Sequence, residues 1–232
     1  MFVRIVSVPD GKLLLKFDNH SDWIFATAWA KTTDIPKMTA TANKGGRTNR
    51  AAVPEDTQHL LSTGRDAAIK LVISDSGSFV DDINTHTSAY RAMVRHPNEN
   101  QVLVGGDDGV PRIYQVFRTK PRTMNQEDHN LIRAFDKLPG QINAVAFSPD
   151  GKNIVVGGEG GEVRIYRVSD GMKLATFNGT AEVVFTIAYR PDGKQIAVGG
   201  LDGKIRLLNA DSASLITAFE PVKVEKRAAA VH

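Results

Sequence analysis

The sequence of 232 residues contains no cysteine. This absence excludes disulfide bridges, thiolate metal sites and a cysteine nucleophile, and it leaves the cellular compartment open. The sequence also lacks any run of about 18 apolar residues, so we expect no membrane-spanning helix. The N-terminal stretch FVRIVSV has the pattern of a strand and no small-residue cleavage site, so it does not resemble a signal peptide.

A strong excess of one charge is absent as well, because the formal net charge is only +3. The net positive charge comes from two irregular segments, 31–58 and 118–130, and from the tail from Lys223 onward. A nucleic-acid-binding surface would instead form a dense basic stripe on the folded body. We therefore do not favour a nucleic-acid partner.

What the chain does contain is a repeat. Residues 146–166, AFSPDGKNIVVGGEGGEVRIY, and residues 188–208, AYRPDGKQIAVGGLDGKIRLL, are identical at 11 of 21 positions and lie 42 residues apart. A period of this length is typical of stacked units that cannot bury their apolar faces alone.

A second regularity predicts hairpins. A basic residue within an apolar strand is followed by a large apolar residue at the end of the next strand, and the spacing is 13 in four cases. A fifth pair is 23 apart, which indicates a ten-residue insertion. One basic residue per unit at one strand position favours a shared packing or ion-pair role. The pairs are Arg4 with Phe17, Lys70 with Ile83, Arg164 with Phe177, Arg206 with Phe219, and Arg112 with Phe135.

A further hairpin precedes each of these except the first. Its first strand is predicted at 24–30, 89–95, 142–148 and 184–190, and its second strand reads HLLSTG, QVLVGG, NIVVGG or QIAVGG. The repeating unit is therefore four strands, which we label a to d, joined by tight turns. No 3.6-residue period persists, so we expect an all-β fold with almost no helix.

These motifs resemble the WD-repeat family. The resemblance rests first on the SPDGK and RPDGK turns. It also rests on an aspartate in the turn between strands b and c, which is Asp66, Asp108 or Asp202, and on a histidine before strand a, which is His20 or His86. It implies a β-propeller of four-stranded antiparallel blades. The family's tryptophan near the end of strand c is replaced in every unit, so its buried Asp–His–Ser/Thr–Trp network is complete in none. The replacing residues are Val6, Val72, Tyr114, Tyr166 and Leu208.

The resemblance divides residues 1–222 into half a blade, four full blades and a short remainder. The half blade spans 1–18, the blades span 19–84, 85–136, 137–178 and 179–220, and residues 223–232 form a basic flexible tail. Because the chain begins at a strand c, we expect a fragment of a larger propeller, most simply a seven-bladed one. Missing N-terminal blades or a second chain would then close the ring.

Candidate binding residues are those that interrupt the repeat. Trp23 lies in a d–a loop, and Arg65, Asp107 and Glu159 begin b–c turns, which emerge on the same face of a propeller. The two basic insertions emerge on the opposite face and are candidates for a partner surface. Their basic residues are Lys37, Lys44, Arg47, Arg50, Lys120 and Arg122. Trp29 aligns with Phe147 and Tyr189 and is predicted to be core.

No pattern for catalysis, metal binding or a cofactor is found. The GGEGG stretch at 157–161 leads into another strand rather than a helix, so we interpret it as a turn. Asp107 and Asp108 are not followed by spaced calcium ligands, the six histidines lack metal-ligand spacing, and no Gly-x-Ser-x-Gly elbow occurs. We therefore predict no catalytic residue, no metal and no cofactor.

The function that this pattern favours is a non-catalytic scaffold for protein partners. The segments HSDWIF, SGSFVDDIN and GGDDGVPRIY also look like a bacterial subgroup in which a propeller accompanies a c-type cytochrome domain. That resemblance would imply a periplasmic location and an accessory role in electron transfer, although no Cys-x-x-Cys-His motif occurs here. An enzyme acting over the central channel is the remaining alternative.

Overall fold

The computed structural model describes residues 2–30, 58–84, 88–117, 128, 130–180 and 182–221. The regular structure in these ranges consists of strands. Sheet 1 contains β1 (Val3–Val6) and β2 (Leu13–Phe17). Sheet 2 contains β3 (Ile24–Ala30), β4 (His59–Gly64), β5 (Ile69–Ile73) and β6 (Phe79–Asp82). Sheet 3 contains β7 (Tyr90–Arg95), β8 (Gln101–Gly106), β9 (Arg112–Gln115) and β10 (Leu131–Ala134).

The last two sheets repeat the arrangement. Sheet 4 contains β11 (Ile142–Phe147), β12 (Asn153–Gly158), β13 (Val163–Arg167) and β14 (Lys173–Phe177). Sheet 5 contains β15 (Val184–Tyr189), β16 (Gln195–Gly200), β17 (Ile205–Asn209) and β18 (Leu215–Phe219). Sheets 2 to 5 each pair their four strands antiparallel in chain order. The expected all-β class of four-stranded, blade-like sheets is therefore confirmed.

The apolar core lies between successive sheets. On one face of sheet 4, Val155 and Ile165 pack with Val184 and Ile187 of sheet 5. On the other face, Ile154 and other buried residues of sheet 4 pack with residues of sheet 3 such as Leu103 and Ile113. A strand enclosed in this way is apolar at nearly every position, which explains the continuous runs in the sequence.

The Pro-Asp-Gly turns between strands a and b are held by their aspartates. Asp150 accepts hydrogen bonds from the Ser148 hydroxyl at 2.6 Å and from the Lys152 amide at 3.1 Å. Both hydrogen bonds lower the pKa of Asp150, and the one from Ser148 has the larger effect. Gly151 takes a φ of +77°, which the turn requires and which glycine adopts without strain.

The prediction that Trp29 belongs to the core is wrong. Its side chain is 47% exposed, whereas the aligned Phe147 is 7% exposed. Phe147 is covered by sheet 3, where the His96 ring meets it edge-on with the ring centroids 4.8 Å apart. Trp29 faces sheet 1, which has only the two outer strands among the described residues. Within the described ranges, therefore, no strand a or b of sheet 1 covers Trp29.

Sheet 5 is covered on one face. Val198 and Leu208, which point back toward sheet 4, are fully buried. Ala197 and Leu207, on the other face, are only half-buried, although the aligned Val155 and Ile165 in sheet 4 are fully buried. The difference arises because sheet 5 covers Val155 and Ile165 and separates them from solvent. Among the described residues, no further sheet covers Leu207 in this way.

Several predicted residues lie outside the described ranges. They are His86, the insertion residues Lys37, Lys44, Arg47, Arg50, Lys120 and Arg122, and the tail from Lys223. In the part of the chain that the structure describes, no helix is long and apolar enough to cross a membrane.

Candidate functional site

One hydrogen bond recurs in every full sheet and defines a rim. The first amide of each b–c turn donates to the carbonyl of the residue just before strand a: Arg65 to Trp23 at 2.8 Å, Asp107 to Ala89 at 3.0 Å, Glu159 to Gln141 at 2.9 Å, and Leu201 to Val183 at 2.9 Å. Each d–a loop therefore lies beside the b–c turn of its own sheet. We call this surface the rim and define it by Trp23, Phe25, Arg65, Arg91, Asp107, Glu159 and Leu201.

Two aromatic side chains of sheet 2 are exposed at the rim. Trp23 is 59% exposed and Phe25 is 38% exposed. The Trp23 amide donates to Asp22 Oδ1 at 2.7 Å, and Asp22 Oδ2 lies 3.7 Å from Arg65 Nε. The predicted residues Trp23 and Arg65 are therefore brought together through Asp22.

Arg91 joins the rim of sheet 2 to that of sheet 3. Its guanidinium carbon lies 5.5 Å from the centroid of the Phe25 ring, and its Nε donates to the Asp107 carboxylate. Cation–π contact and an ion pair thus connect Phe25 with the predicted residue Asp107. Sequence reasoning missed Phe25 and Arg91. Both occupy the second position of a strand a, next to the register shift that starts each of these strands.

The other end of the rim is less connected. Glu159 Oε2 accepts from the Gln141 amide of its own sheet at 3.4 Å and is exposed. Leu201, which starts the b–c turn of sheet 5, is 58% exposed. The structure therefore gathers Trp23, Arg65 and Asp107 at one end and leaves Glu159 in a separate sheet.

A buried triad supports the loop that carries Trp23. His20 Nδ1 lies 2.9 Å from the Asp66 carboxylate, and His20 Nε2 lies 2.8 Å from Ser62 Oγ. The Ser21 amide also donates to Asp66 at 3.1 Å. These bonds fasten the d–a loop to the b–c turn, while Val72 stands at the position of the missing tryptophan.

The recurring basic residue of strand c forms an ion pair in four sheets. The nitrogen–oxygen distances are 3.3 Å for Lys70 with Asp82, 2.7 Å for Arg112 with Asp108, 2.5 Å for Arg164 with Glu162, and 2.5 Å for Arg206 with Asp202. The hydrogen bond from Arg206 lowers the pKa of Asp202 to about 2. The turn aspartates Asp108 and Asp202 thus pair within their own sheets, and their carboxylates are directed at structural partners.

A cavity of about 240 Å³ lies at the a–b turns of sheets 4 and 5, away from the rim. Its lining includes Asp150, Asp192, Asp211 and Tyr189. A hydrogen bond from Arg190 lowers the pKa of Asp192 to about 2, and burial raises the pKa of the Tyr189 hydroxyl. Asp192 also accepts the Lys194 amide at 3.0 Å. Two of the three aspartates are therefore occupied by their own turns. Among the described residues, no acidic or histidine cluster has the arrangement of a metal site.

Comparison with known families identifies the repeat. The model described as "WD domain, G-beta repeat" matches residues 132–167, which begin in strand d of sheet 3 and end with strand c of sheet 4. This segment therefore matches one WD40 repeat. A second WD40 model, that of the anaphase-promoting complex subunit 4 WD40 domain, matches residues 176–229.

Curated relatives align with about half of this chain or less. Eukaryotic translation initiation factor 3 subunit I of Culex quinquefasciatus is 29% identical over 125 residues, which are 52% of this chain and 38% of that protein. The Drosophila simulans counterpart is 30% identical over 122 residues, 50% of this chain and 37% of that protein. DDB1- and CUL4-associated factor 13 of Dictyostelium discoideum is 30% identical over 91 residues, 39% of this chain and 18% of that protein.

The chain thus spans less than two fifths of the length of these relatives. All three are eukaryotic proteins, and they give no support to the bacterial cytochrome-bearing subgroup. They likewise give no support to an electron-transfer role or to a propeller enzyme.

Proposed function

We propose that this WD40-repeat chain is a non-catalytic scaffold that binds a protein partner through the Trp23 end of the rim. The observation that carries the proposal is the exposure of Trp23 and Phe25 beside the paired charges of Arg91 and Asp107. Aromatic and arginine side chains supply most of the energy at protein interfaces, particularly where polar groups surround them.

The rim is held in place before any partner binds. The Trp23 carbonyl accepts the Arg65 amide, and the adjoining loop is fastened by His20 and Asp66. An anchor on a fixed loop loses little conformational freedom on binding, so more of its contact energy contributes to affinity. A rigid four-stranded sheet that presents such a loop is suited to scaffolding.

The names of the matched proteins support the proposal. They describe a subunit of a translation initiation factor, a factor associated with DDB1 and CUL4, and a subunit of the anaphase-promoting complex. Each name places the relative in or beside an assembly of several proteins. We transfer only the general role, a component of an assembly, to this chain.

The state of the aspartates favours a structural rather than a catalytic role. Asp150, Asp192 and Asp202 have lowered pKa values because hydroxyl, guanidinium or backbone N–H groups donate to them. A general acid or base works best with a pKa near the ambient pH. Carboxylates held ionised by their own turns do not meet that requirement.

The experiment compares Trp23→Ala with a matched change on another surface. Immobilised protein first captures a partner from extracts of the native cells, and the purified partner is then titrated against each variant. Trp23→Ala is expected to weaken binding about 30-fold, because loss of an interface anchor costs about 2 kcal/mol. Lys152→Ala, in an exposed a–b turn, should leave the affinity unchanged. Equal affinities for Trp23→Ala and wild type would refute the proposal.

The basic insertions remain a separate prediction. Their residues, Lys37 to Arg50 and Lys120 to Arg122, lie outside the described residues. We propose that they form a second, basic partner surface. Deletion of residues 35–53 and 120–128 should then abolish binding of an acidic protein partner, while the Trp23-dependent partner still binds. Retention of both partners by the deletion variant would contradict this assignment.

A further inference from the structure

The cavity at the a–b turns of sheets 4 and 5 has a filled counterpart between sheets 3 and 4. There the side chain of His96, the first residue after β7, occupies the space and is 4% exposed. Its ring meets the Phe147 ring with the centroids 4.8 Å apart, and its Nε2 lies 3.1 Å from the Gly151 carbonyl oxygen. A Cβ built on Gly151 would lie only 2.3 Å from the His96 ring. One side chain therefore fills this junction.

The junction between sheets 4 and 5 has a smaller residue at the same place. Ser148 aligns with His96, and its hydroxyl is directed at its own turn. Gly193 aligns with Gly151, and a Cβ built on Gly193 would meet only Pro149 Cδ, at 3.7 Å. The space that an imidazole ring fills in one junction is therefore left open in the next.

The c–d turn of sheet 5 widens the same space. Ala210 takes the place that Val168 has in sheet 4, and the backbone amide at this position donates to the a–b turn at 3.1 Å and 2.8 Å respectively. The arrangement of the turn is thus kept while the side chain is smaller. The cavity of about 240 Å³ is several times the volume of about 30 Å³ that one water molecule takes up in the liquid.

The lining of the cavity is acidic. Among the described residues that line it there is no lysine or arginine. Asp211 is exposed, and its carboxylate pairs with no described group. Asp150 accepts its two turn hydrogen bonds at Oδ1, whereas its Oδ2 has the Lys152 ammonium at 3.8 Å. The cavity therefore offers carboxylate oxygens that can accept further hydrogen bonds.

Tyr189 brings a hydroxyl group to this space, where the aligned Phe147 has none. The hydroxyl oxygen is buried, and it has no hydrogen-bond partner among the described residues. Burial, together with the nearby charges of Asp150 and Asp211, raises the pKa of this hydroxyl. A buried hydroxyl without a partner is costly, so a hydrogen-bonding group supplied here would be bound favourably. The lining thus favours a ligand that has positive charge and several N–H donors.

We propose that this cavity binds the guanidinium group of an arginine side chain from a partner polypeptide. A guanidinium has a permanent positive charge and several N–H donors in one plane, so it can donate to both carboxylates and to the Tyr189 hydroxyl together. A polypeptide is the expected source because a nitrogen-bearing side chain, that of His96, occupies the corresponding place in the preceding junction. The cavity lies away from the rim, so this contact does not depend on the proposed function of Trp23.

The probe is the blocked tripeptide acetyl-Gly-Arg-Gly-amide, and its uncharged match has citrulline in place of arginine. Each is titrated into the whole ¹⁵N-labelled chain, and the amide resonances are followed by NMR. With the arginine peptide we expect saturable shifts in the two turns, residues 148–153 and 190–195. The citrulline peptide should bind at least tenfold more weakly. Methylguanidinium should also bind more weakly than the arginine peptide, and equal affinity would contradict the assignment to a polypeptide.

Variants of the lining test the contact. Asp211→Asn should weaken binding of the arginine peptide at least tenfold, whereas Asp170→Asn, the same change in the exposed c–d turn of sheet 4, should alter it less than twofold. Tyr189→Phe should weaken binding at least threefold without lowering the urea midpoint, so that a loss of folding cannot explain the effect. Ser148→His should fill the cavity, as His96 does in the preceding junction, and abolish the shifts.

Three results would overturn the proposal. They are the absence of saturable shifts with the arginine peptide, equal affinity for the citrulline peptide, and unaltered affinity in both Asp211→Asn and Tyr189→Phe. The rim is tested separately, because Trp23→Ala should leave binding of the arginine peptide unchanged. Loss of Trp23-dependent binding to a protein partner would likewise leave the peptide titration interpretable.

Discussion

Alanine substitutions at two aligned aliphatic positions, one in sheet 4 and one in sheet 5, test whether sheet 5 has an uncovered face. Ile165 in sheet 4 and Leu207 in sheet 5 occupy aligned positions, but Ile165 is 0% exposed and Leu207 is half-buried. Ile165→Ala removes about three buried carbon groups at about 0.8 kcal/mol each and leaves a cavity among Val184 and Ile187. We therefore expect a loss of about 3 kcal/mol in the free energy of unfolding.

Leu207→Ala serves as the matched variant, and its expected loss is about 1 kcal/mol. The smaller value follows because part of the side chain already contacts solvent and no enclosed cavity forms. The difference of about 2 kcal/mol corresponds to about a 30-fold difference in the folding equilibrium constant. Urea unfolding followed by circular dichroism measures both values, and an unchanged slope against urea confirms that the two variants unfold alike.

Equal losses for Ile165→Ala and Leu207→Ala would refute the reasoning. They would mean that another sheet covers Leu207 in solution as completely as sheet 5 covers Ile165. Light scattering at the same protein concentration then identifies whether a second copy supplies that cover. A loss at Leu207 well below that at Ile165 supports the open face.

Three further predictions concern single interactions. Asp66→Ala leaves the buried His20 without its carboxylate partner, so we expect the free energy of unfolding to fall by about 3 kcal/mol. Urea unfolding measures this loss. An unchanged urea midpoint would contradict the triad's role. The pKa of Asp202 is about 2 in the folded chain, whereas its ordinary value is 3.8. The ion pair of Asp202 with Arg206 therefore stabilises the fold above pH 3.8, and this stabilisation is lost as the pH falls toward 2. Asp202→Asn should remove about 1 kcal/mol at pH 7 and almost nothing at pH 2, and an equal effect at both pH values would disprove the pairing. Gly157→Val within the protein should lower the free energy of unfolding by about 2 kcal/mol, because the valine side chain crowds Ile187. A lower urea midpoint measures this loss. A variant as stable as wild type would show that the interface between sheets 4 and 5 has room for the larger side chain.

The sequence alone was sufficient for the local structure. The sequence predicts a strand at 24–30, and β3 spans Ile24–Ala30. The strands that it predicts before the Pro-Asp-Gly turns, 142–148 and 184–190, correspond to Ile142–Phe147 and Val184–Tyr189. These predictions agree with the structure because strand and turn signals depend on residues that are close together in the sequence. Apolar and polar residues alternate along a strand, and a Pro-Asp-Gly sequence has few conformations to choose from. The repeat then supplied the fold class, since four short strands per unit recur at a constant period.

Only the tertiary structure decided which of the aligned positions are covered. Trp29 and Phe147 occupy the same place in their strands, yet one is exposed and the other buried. Strand periodicity states on which side a residue points, but not whether a neighbouring sheet is present on that side. The contact of Arg91 with Phe25 also joins two sheets, so no pattern within either strand predicts it. The periodic repeat therefore determined the blade, while the candidate rim depends on how the blades meet.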